Sequence, residues 1–196
     1  MSESDFRYIV AGLTLCFVLW IAGFAVYSSV RNKVRAVAVS PRHATPWQRL
    51  LLIVAVILDG YLIARPWAPT LDQWVFAQSS PAPYLAVVIM AFGGGLMIAT
   101  HLHMGASWRI GVPKEGGDIA SLITTGPHRF SRNPIYLGIL MMIAGAALAA
   151  PGPLTVGALI ITFVGLQSII AEEEAYLVGQ FGSEYAAYRK RVRRWL

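Results

Sequence analysis

The sequence predicts an all-α integral membrane protein with five transmembrane helices, the last two forming a C-terminal hairpin. Three observations carry that reading. Of 196 residues, 56% are hydrophobic and only 13% charged, a balance outside the range of soluble domains of this size. The apolar residues gather in long uncharged runs that approach the ~20 residues needed to cross a hydrocarbon core. Finally, 14 of the 16 Lys and Arg residues fall in alternate polar segments around those runs.

Residues 8–30 contain no formal charge and end at Arg31, Lys33 and Arg35, which makes a full-length first span with a basic exit. It is too long for a signal-peptide core and is expected to be retained. Cys16, the only cysteine, lies inside it, so no intramolecular disulfide forms and the thiol is expected as a small buried hydrophobe. The second run, residues 50–66, is short, carries Asp59, and relies on flanking Arg49, Arg65, Trp47 and Trp67 reaching the interfaces. Pro66, Pro69, Pro81 and Pro83 then mark a connection expected as loop rather than helix.

The third span covers residues 84–101, with Gly93, Gly94 and Gly95 near its middle, where small residues permit close helix approach. From Asn133 to Ala171 no residue carries a formal charge. As one helix that stretch would be roughly 58 Å long, about twice a membrane core. Pro151-Gly152-Pro153 divides it into spans at 134–150 and 154–171, with Gly138, Gly145, Gly157 and Gly165 available as packing faces. The whole of 1–196 reads as one membrane domain.

Five spans place the termini on opposite sides. Only that count puts the basic segments 31–49, 109–132 and 189–194 together, leaving Arg7 and Arg65 opposite. The positive-inside bias then sets the N-terminus outside and the C-terminus in the cytosol, with a plasma membrane as the simplest location. The net charge of +6 is a topological signal that suits anionic lipid headgroups, and no nucleic-acid partner is expected.

The connection 101–133 is too long and polar for ordinary helix joining, and it shares its side with the tail. Glu172, Glu173 and Glu174 end the last apolar run, where three adjacent acids require water, cations or a ligand. Beyond them, Leu177, Phe181, Tyr185, Tyr188, Val192 and Trp195 form one apolar stripe beside basic residues, the pattern of an interfacial helix bent at Gly182. His101 and His103 diverge by roughly 200 degrees on a helix, so a shared metal ion is not expected. His101 reads as a boundary residue.

Thr125-Gly126-Pro127-His128-Arg129, then Arg132-Asn133-Pro134-Ile135-Tyr136, a hairpin, the triple glutamate, Phe181-Gly182-Ser183-Glu184-Tyr185 and Tyr188-Arg189-Lys190-Arg191-Val192 together resemble the isoprenylcysteine carboxyl methyltransferase family. That family belongs to the wider group containing phospholipid N-methyltransferases. The likeness covers roughly the last hundred residues, and its specificity lies in order and spacing together. It implies a membrane enzyme that uses S-adenosylmethionine, with a cofactor region at 101–136 and 171–196 and a lipophilic or prenylated acceptor entering from the bilayer lipid.

By the same likeness Ser121, Leu122, Ile123, Gly126, His128, Arg132, Asn133, Pro134, Tyr136, Glu172 and Glu173 line the cofactor, and Arg132, Glu173 and Arg191 act in catalysis. The family often has His at the position of Asn133 and Pro at that of Arg193. Residue chemistry suits the implied cofactor: Arg132 can take a carboxylate bidentately, and Glu172 or Glu173 can accept from an ammonium or hydroxyls. An isoprenylcysteine-like carboxylate, already a nucleophile at neutral pH, is the first acceptor expected; a phosphatidylethanolamine amine is the second, and there a Glu with a raised pKa would be the base. A nicotinamide-dependent membrane reductase and a noncatalytic lipid-binding protein are the remaining readings.

Overall fold

The structure, a computed structural model, describes residues 2–32, 44–76, 80–105, 108 and 121–196. Lys33, Arg35, Arg42, Arg109, Lys114 and the Gly116-Gly117 pair lie outside them. The described residues form five α-helices and two short 3-10 turns: α1 (Glu3–Asn32), α2 (Pro46–Ala64), a turn at Pro69–Trp74, α3 (Pro83–Met104), a turn at Gly126–Arg129, α4 (Pro134–Ala149) and α5 (Pro153–Arg191). Helices α1, α2, α3 and α5 are long and apolar enough to cross a membrane, whereas α4 is a shorter apolar helix of 16 residues, or about 24 Å.

Several boundaries differ from the sequence reading for local reasons. Helix α2 starts four residues before the apolar run, because the Thr45 hydroxyl accepts from Gln48 N while the Gln48 side chain accepts from Thr45 N, with Pro46 at the first helical position. The proline-rich connection contains the 3-10 turn at Pro69–Trp74. Helix α5 runs from the span straight through the three glutamates to Gly182, whose φ of 47° lies in the region open to glycine, and a second helical segment follows from that bend to Arg191, where the tail helix was expected to bend. Cys16, expected as buried, faces outward from α1.

The helices close into a ring in the order α1, α2, α5, α4, α3. Glycines set the closest approaches. A Cβ on Gly93 of α3 would lie 2.6 Å from the Gly138 carbonyl oxygen of α4, and one on Gly145 would lie 2.8 Å from the Ala86 carbonyl oxygen, so α3 and α4 touch backbone to backbone at two levels. Gly94 receives the ring of Phe17 from α1, and Gly165 receives Trp47 and Leu51 from α2. Gly95 and Gly157, also expected as packing faces, border open space. Outward surfaces carry exposed apolar residues such as Leu19, Leu52, Val56, Val88, Phe92 and Ile160, as lipid-facing helices do.

Asp59 of α2 apart, the charged groups of the described residues lie toward the two ends of the ring. At the end holding the hairpin turn, Asp72 binds Arg65 at 2.6 Å and Arg7 at 2.5 Å, and Glu3 lies 3.4 Å from Arg7. Arg65, which the sequence reading placed at an interface, is only 2% exposed and also donates to the Ala149 carbonyl. Phe76 N and the Ser80 hydroxyl donate to Pro151 and Leu148 carbonyls, fastening the α2–α3 connection to the α4–α5 hairpin. The other end gathers the α3–α4 connection and the tail.

The glycine contacts predict an asymmetric response. Gly93→Val should lower stability by about 1–3 kcal/mol through overpacking, while Gly95→Ala should change it by less than about 0.5 kcal/mol. Thermal unfolding of the two variants in one detergent measures the difference.

Candidate active site

At the tail end, α1, α3, α4 and α5 surround a cavity of about 280 Å³. Its lining combines apolar residues, Ile21, Met97, Met104, Trp108, Ile135 and Ile139, with polar ones, His101, His128, Arg132, Asn133, Tyr136 and Glu173.

Much of the polar lining is built on the start of α4 and the glutamates of α5. Pro134 opens α4 and needs no amide partner there. Tyr136, in the first turn, points its hydroxyl at Glu173 and donates to Oε1 at 2.5 Å. Successive residues of a helix turn by ~100 degrees. The three glutamates therefore face three ways: Glu172 is exposed, Glu173 meets the cavity, and Glu174 is buried on the adjoining face.

Glu174 holds two arginines at once. Its Oε1 accepts from Arg132 Nε at 3.2 Å and Nη2 at 2.8 Å, and its Oε2 accepts from Arg194 Nη2 at 2.7 Å. Arg132 Nη1 donates to the Val192 and Arg189 carbonyls at 2.8 and 3.3 Å, and Arg132 N donates to the Arg193 carbonyl. The Asn133 amide and the Ser131 hydroxyl both donate to the Arg194 carbonyl at 3.1 Å. Arg132, Asn133 and Ser131 thus fasten the tail across the entrance to α4. Its guanidinium pairing with Glu174 pins Arg194, whose pKa is raised first by that hydrogen bond.

Gly126 has φ +59°, and a Cβ there would lie 2.7 Å from His103 Nε2. His103 in turn reaches the Thr125 hydroxyl at 2.9 Å, so the two form one buttress beneath the loop. Two residues on, the His128 carbonyl accepts from the Tyr188 hydroxyl at 2.7 Å. Burial, reinforced by the neighbouring His103, brings the His128 pKa down to about 4, so its imidazole is neutral at physiological pH.

Of the residues implied by the sequence, His128, Arg132, Asn133, Pro134, Tyr136 and Glu173 meet at the cavity. Ser121, Leu122, Ile123 and Gly126, just before them in the chain, do not line it, and Glu172 and Arg191 are exposed outside it. Glu174 was legible in principle: extending the buried positions Thr162, Leu166 and Ile170 by one turn reaches it. His101, expected as a boundary residue, lies in the last turn of α3; it is 2% exposed and packs against the rings of Phe24 and Trp108. Its partners come from α1 and the α3–α4 connection, and no local pattern announces them.

The donors and acceptors suit an S-adenosyl group. His128 Nδ1 is buried without a hydrogen-bond partner, an acceptor or donor held in reserve. Glu173 keeps carboxylate lone pairs beyond the one used by Tyr136 and can accept from an ammonium or ribose hydroxyls. Arg132, by contrast, has its fork engaged by Glu174 and the tail.

Removing the Glu174 side chain leaves two guanidinium groups without their shared partner. Glu174→Ala should cost roughly 3 kcal/mol and speed tryptic cleavage at Arg193 and Arg194, whereas Glu172→Ala should do neither. Between pH 6.5 and about 4 the unfolded chain protonates His128 and the folded chain does not, so stability falls as pH drops through that window. Acid titration of unfolding should show a shallower fall in His128→Asn.

The sequence profile of the phospholipid methyltransferase family matches residues 82–184, just over half of the chain, and takes in α3, α4 and most of α5. Methanethiol S-methyltransferase 1 of Bradyrhizobium diazoefficiens is 27% identical over 89% of this chain and 64% of its own length. Protein-S-isoprenylcysteine O-methyltransferase of Xenopus laevis is 27% identical over 63% of this chain and 44% of its own, and the human protein of the same name is 27% identical over 63% and 45%. The chain thus spans less than two thirds of the length of these relatives. With a matching profile, long apolar helices and methyltransferase relatives, the chain belongs to the phospholipid methyltransferase family of integral membrane proteins.

Proposed function

We propose that this protein is a membrane-embedded S-adenosylmethionine-dependent methyltransferase whose acceptor is a lipophilic carboxylate of the isoprenylcysteine type. The observation that carries the reading is the mixed lining of one cavity, where Glu173, Tyr136, His128 and Asn133 are joined by Ile21, Met97, Met104 and Trp108. When bound, the cofactor supplies an electrophilic methyl group on a sulfonium. Transfer of that methyl to a carboxylate oxygen, with its bond to sulfur breaking and the two charges cancelling, would ask no proton transfer of Glu173, Tyr136 or His128.

Glu173, aimed by the Tyr136 hydroxyl, accepts from the cofactor's ammonium or ribose hydroxyls, and His128 Nδ1 takes a further polar group. Arg132 and Glu174 act by holding the tail over the site. Arg191 lies outside the cavity, and the proposed machinery omits it. The apolar lining admits the acceptor's hydrocarbon and excludes water, which strengthens polar contacts made within. The tail end lies in the cytosol, by the basic bias of its segments, and the membrane is the plasma membrane.

A second reading, methyl transfer to a small or lipophilic thiol, is favoured by the methanethiol S-methyltransferase relative, whose match covers 89% of this chain.

Calorimetric titration of the detergent-purified protein should show binding of S-adenosylhomocysteine and none of NADPH. Glu173→Gln and Tyr136→Phe should each weaken that binding by about tenfold, the value of one hydrogen bond to a charged group. Binding of NADPH alone, or of neither compound, would overturn the reading. Methyl-label transfer to N-acetyl-S-farnesylcysteine, decanethiol and phosphatidylethanolamine then separates the acceptors.

A further inference from the structure

Among the described residues that line the cavity, His101 is the one titratable side chain contributed by α1 or α3, whose other lining residues are Ile21, Met97 and Met104. Its Nδ1 lies 3.2 Å from Trp20 Nε1. An indole N–H only donates, so Nδ1 must accept, and the ring's proton must sit on Nε2. The contact therefore excludes the imidazolium and selects one tautomer. Phe24 stacks on the ring at 5.1 Å and 9°, and Trp108 meets it edge-on at 4.8 Å, so the imidazole has one orientation. That leaves Nε2–H as the free polar atom of a residue that lines the cavity together with Ile21, Met97 and Met104.

A structural histidine needs only to satisfy its nitrogens, and one donor left free on a buried ring is costly unless something accepts from it. We propose that His101 is an acceptor-binding residue whose Nε2–H donates to the non-attacking oxygen of the substrate carboxylate and thereby turns the other oxygen toward the methyl group. This rests on the carboxylate reading above. A neutral donor suits the task better than a cation would. It orients the carboxylate without neutralising the charge that makes the second oxygen nucleophilic, and one N–H engages one oxygen and leaves the other free. Trp20 is the positioning residue, acting through the tautomer it imposes.

The test uses full-length protein in detergent with saturating S-adenosylmethionine and N-acetyl-S-farnesylcysteine as the acceptor, comparing wild type, His101→Gln, His101→Leu and Trp20→Phe. His101→Leu should raise the acceptor KM by about 10–100-fold while S-adenosylhomocysteine affinity stays within about twofold. His101→Gln, which keeps an N–H in the same place, should stay within about threefold of wild type, and Trp20→Phe should fall between the two. In ¹⁵N-histidine spectra of the wild-type S-adenosylhomocysteine complex, Nε2 should carry the proton and shift when the farnesylcysteine is added.

Equal impairment of the Gln and Leu variants, an unchanged KM in the Leu variant, or an Nδ1-protonated ring would overturn the proposal. Should His101→Leu fail to fold, Trp20→Phe and the spectra decide the matter alone. Wild-type transfer to decanethiol or phosphatidylethanolamine but not to farnesylcysteine would instead overturn the carboxylate reading, and the His101 assignment with it.

Discussion

Glu174 carries both Arg132, from the start of α4, and Arg194, from the tail, on the two oxygens of one buried carboxylate. Its consequences reach beyond the three residues. A carboxylate taken out of water requires compensation close at hand, and Glu174 receives it from two segments that are distant in sequence. That demand sets the rotation of α5 about its axis. With Glu174 turned to the arginines, its neighbour Glu173 must face Tyr136 and the cavity, and Glu172 must face away. A structural acid thus aims its neighbour at the cavity.

The same arrangement solves a problem at the end of α5. The last turn of any helix leaves carbonyls without intrahelical partners. Here Arg132 Nη1 takes the Arg189 and Val192 carbonyls, and Arg132 N and Asn133 take the next two. The cluster of Arg7, Arg65, Asp72 and Glu3 plays the matching part at the opposite end, so buried ion pairs close both rims, while glycine contacts bring α3 and α4 together between them.

What the sequence revealed and what it hid divide along physical lines. The apolar runs marked the helices because burial in lipid is a composition-level demand, and Pro151-Gly152-Pro153 marked the hairpin because proline cannot continue a helix. The continuity of α5 was hidden: three glutamates read as a stop, yet Glu is a good helix former, and only Gly182 breaks the backbone. The motif residues Arg132 to Tyr136 and Glu173 were legible from order and spacing. The burial of His101 was not, because Trp20 and Phe24 approach it from a helix some eighty residues earlier, and no periodicity within α3 encodes that meeting.

The tail's attachment through carbonyl oxygens explains why two departures from the family pattern leave the site intact. Position 193 contributes only its carbonyl to Arg132 N, and proline offers the same oxygen. Position 133 contributes a side-chain donor to the Arg194 carbonyl, which an imidazole N–H would also supply. A segment gripped by its backbone is indifferent to lettering and sensitive to length. Side chains at 192 and 193 are therefore free to drift, while one residue inserted or deleted between Gly182 and Arg194 would move every oxygen out of register with Arg132.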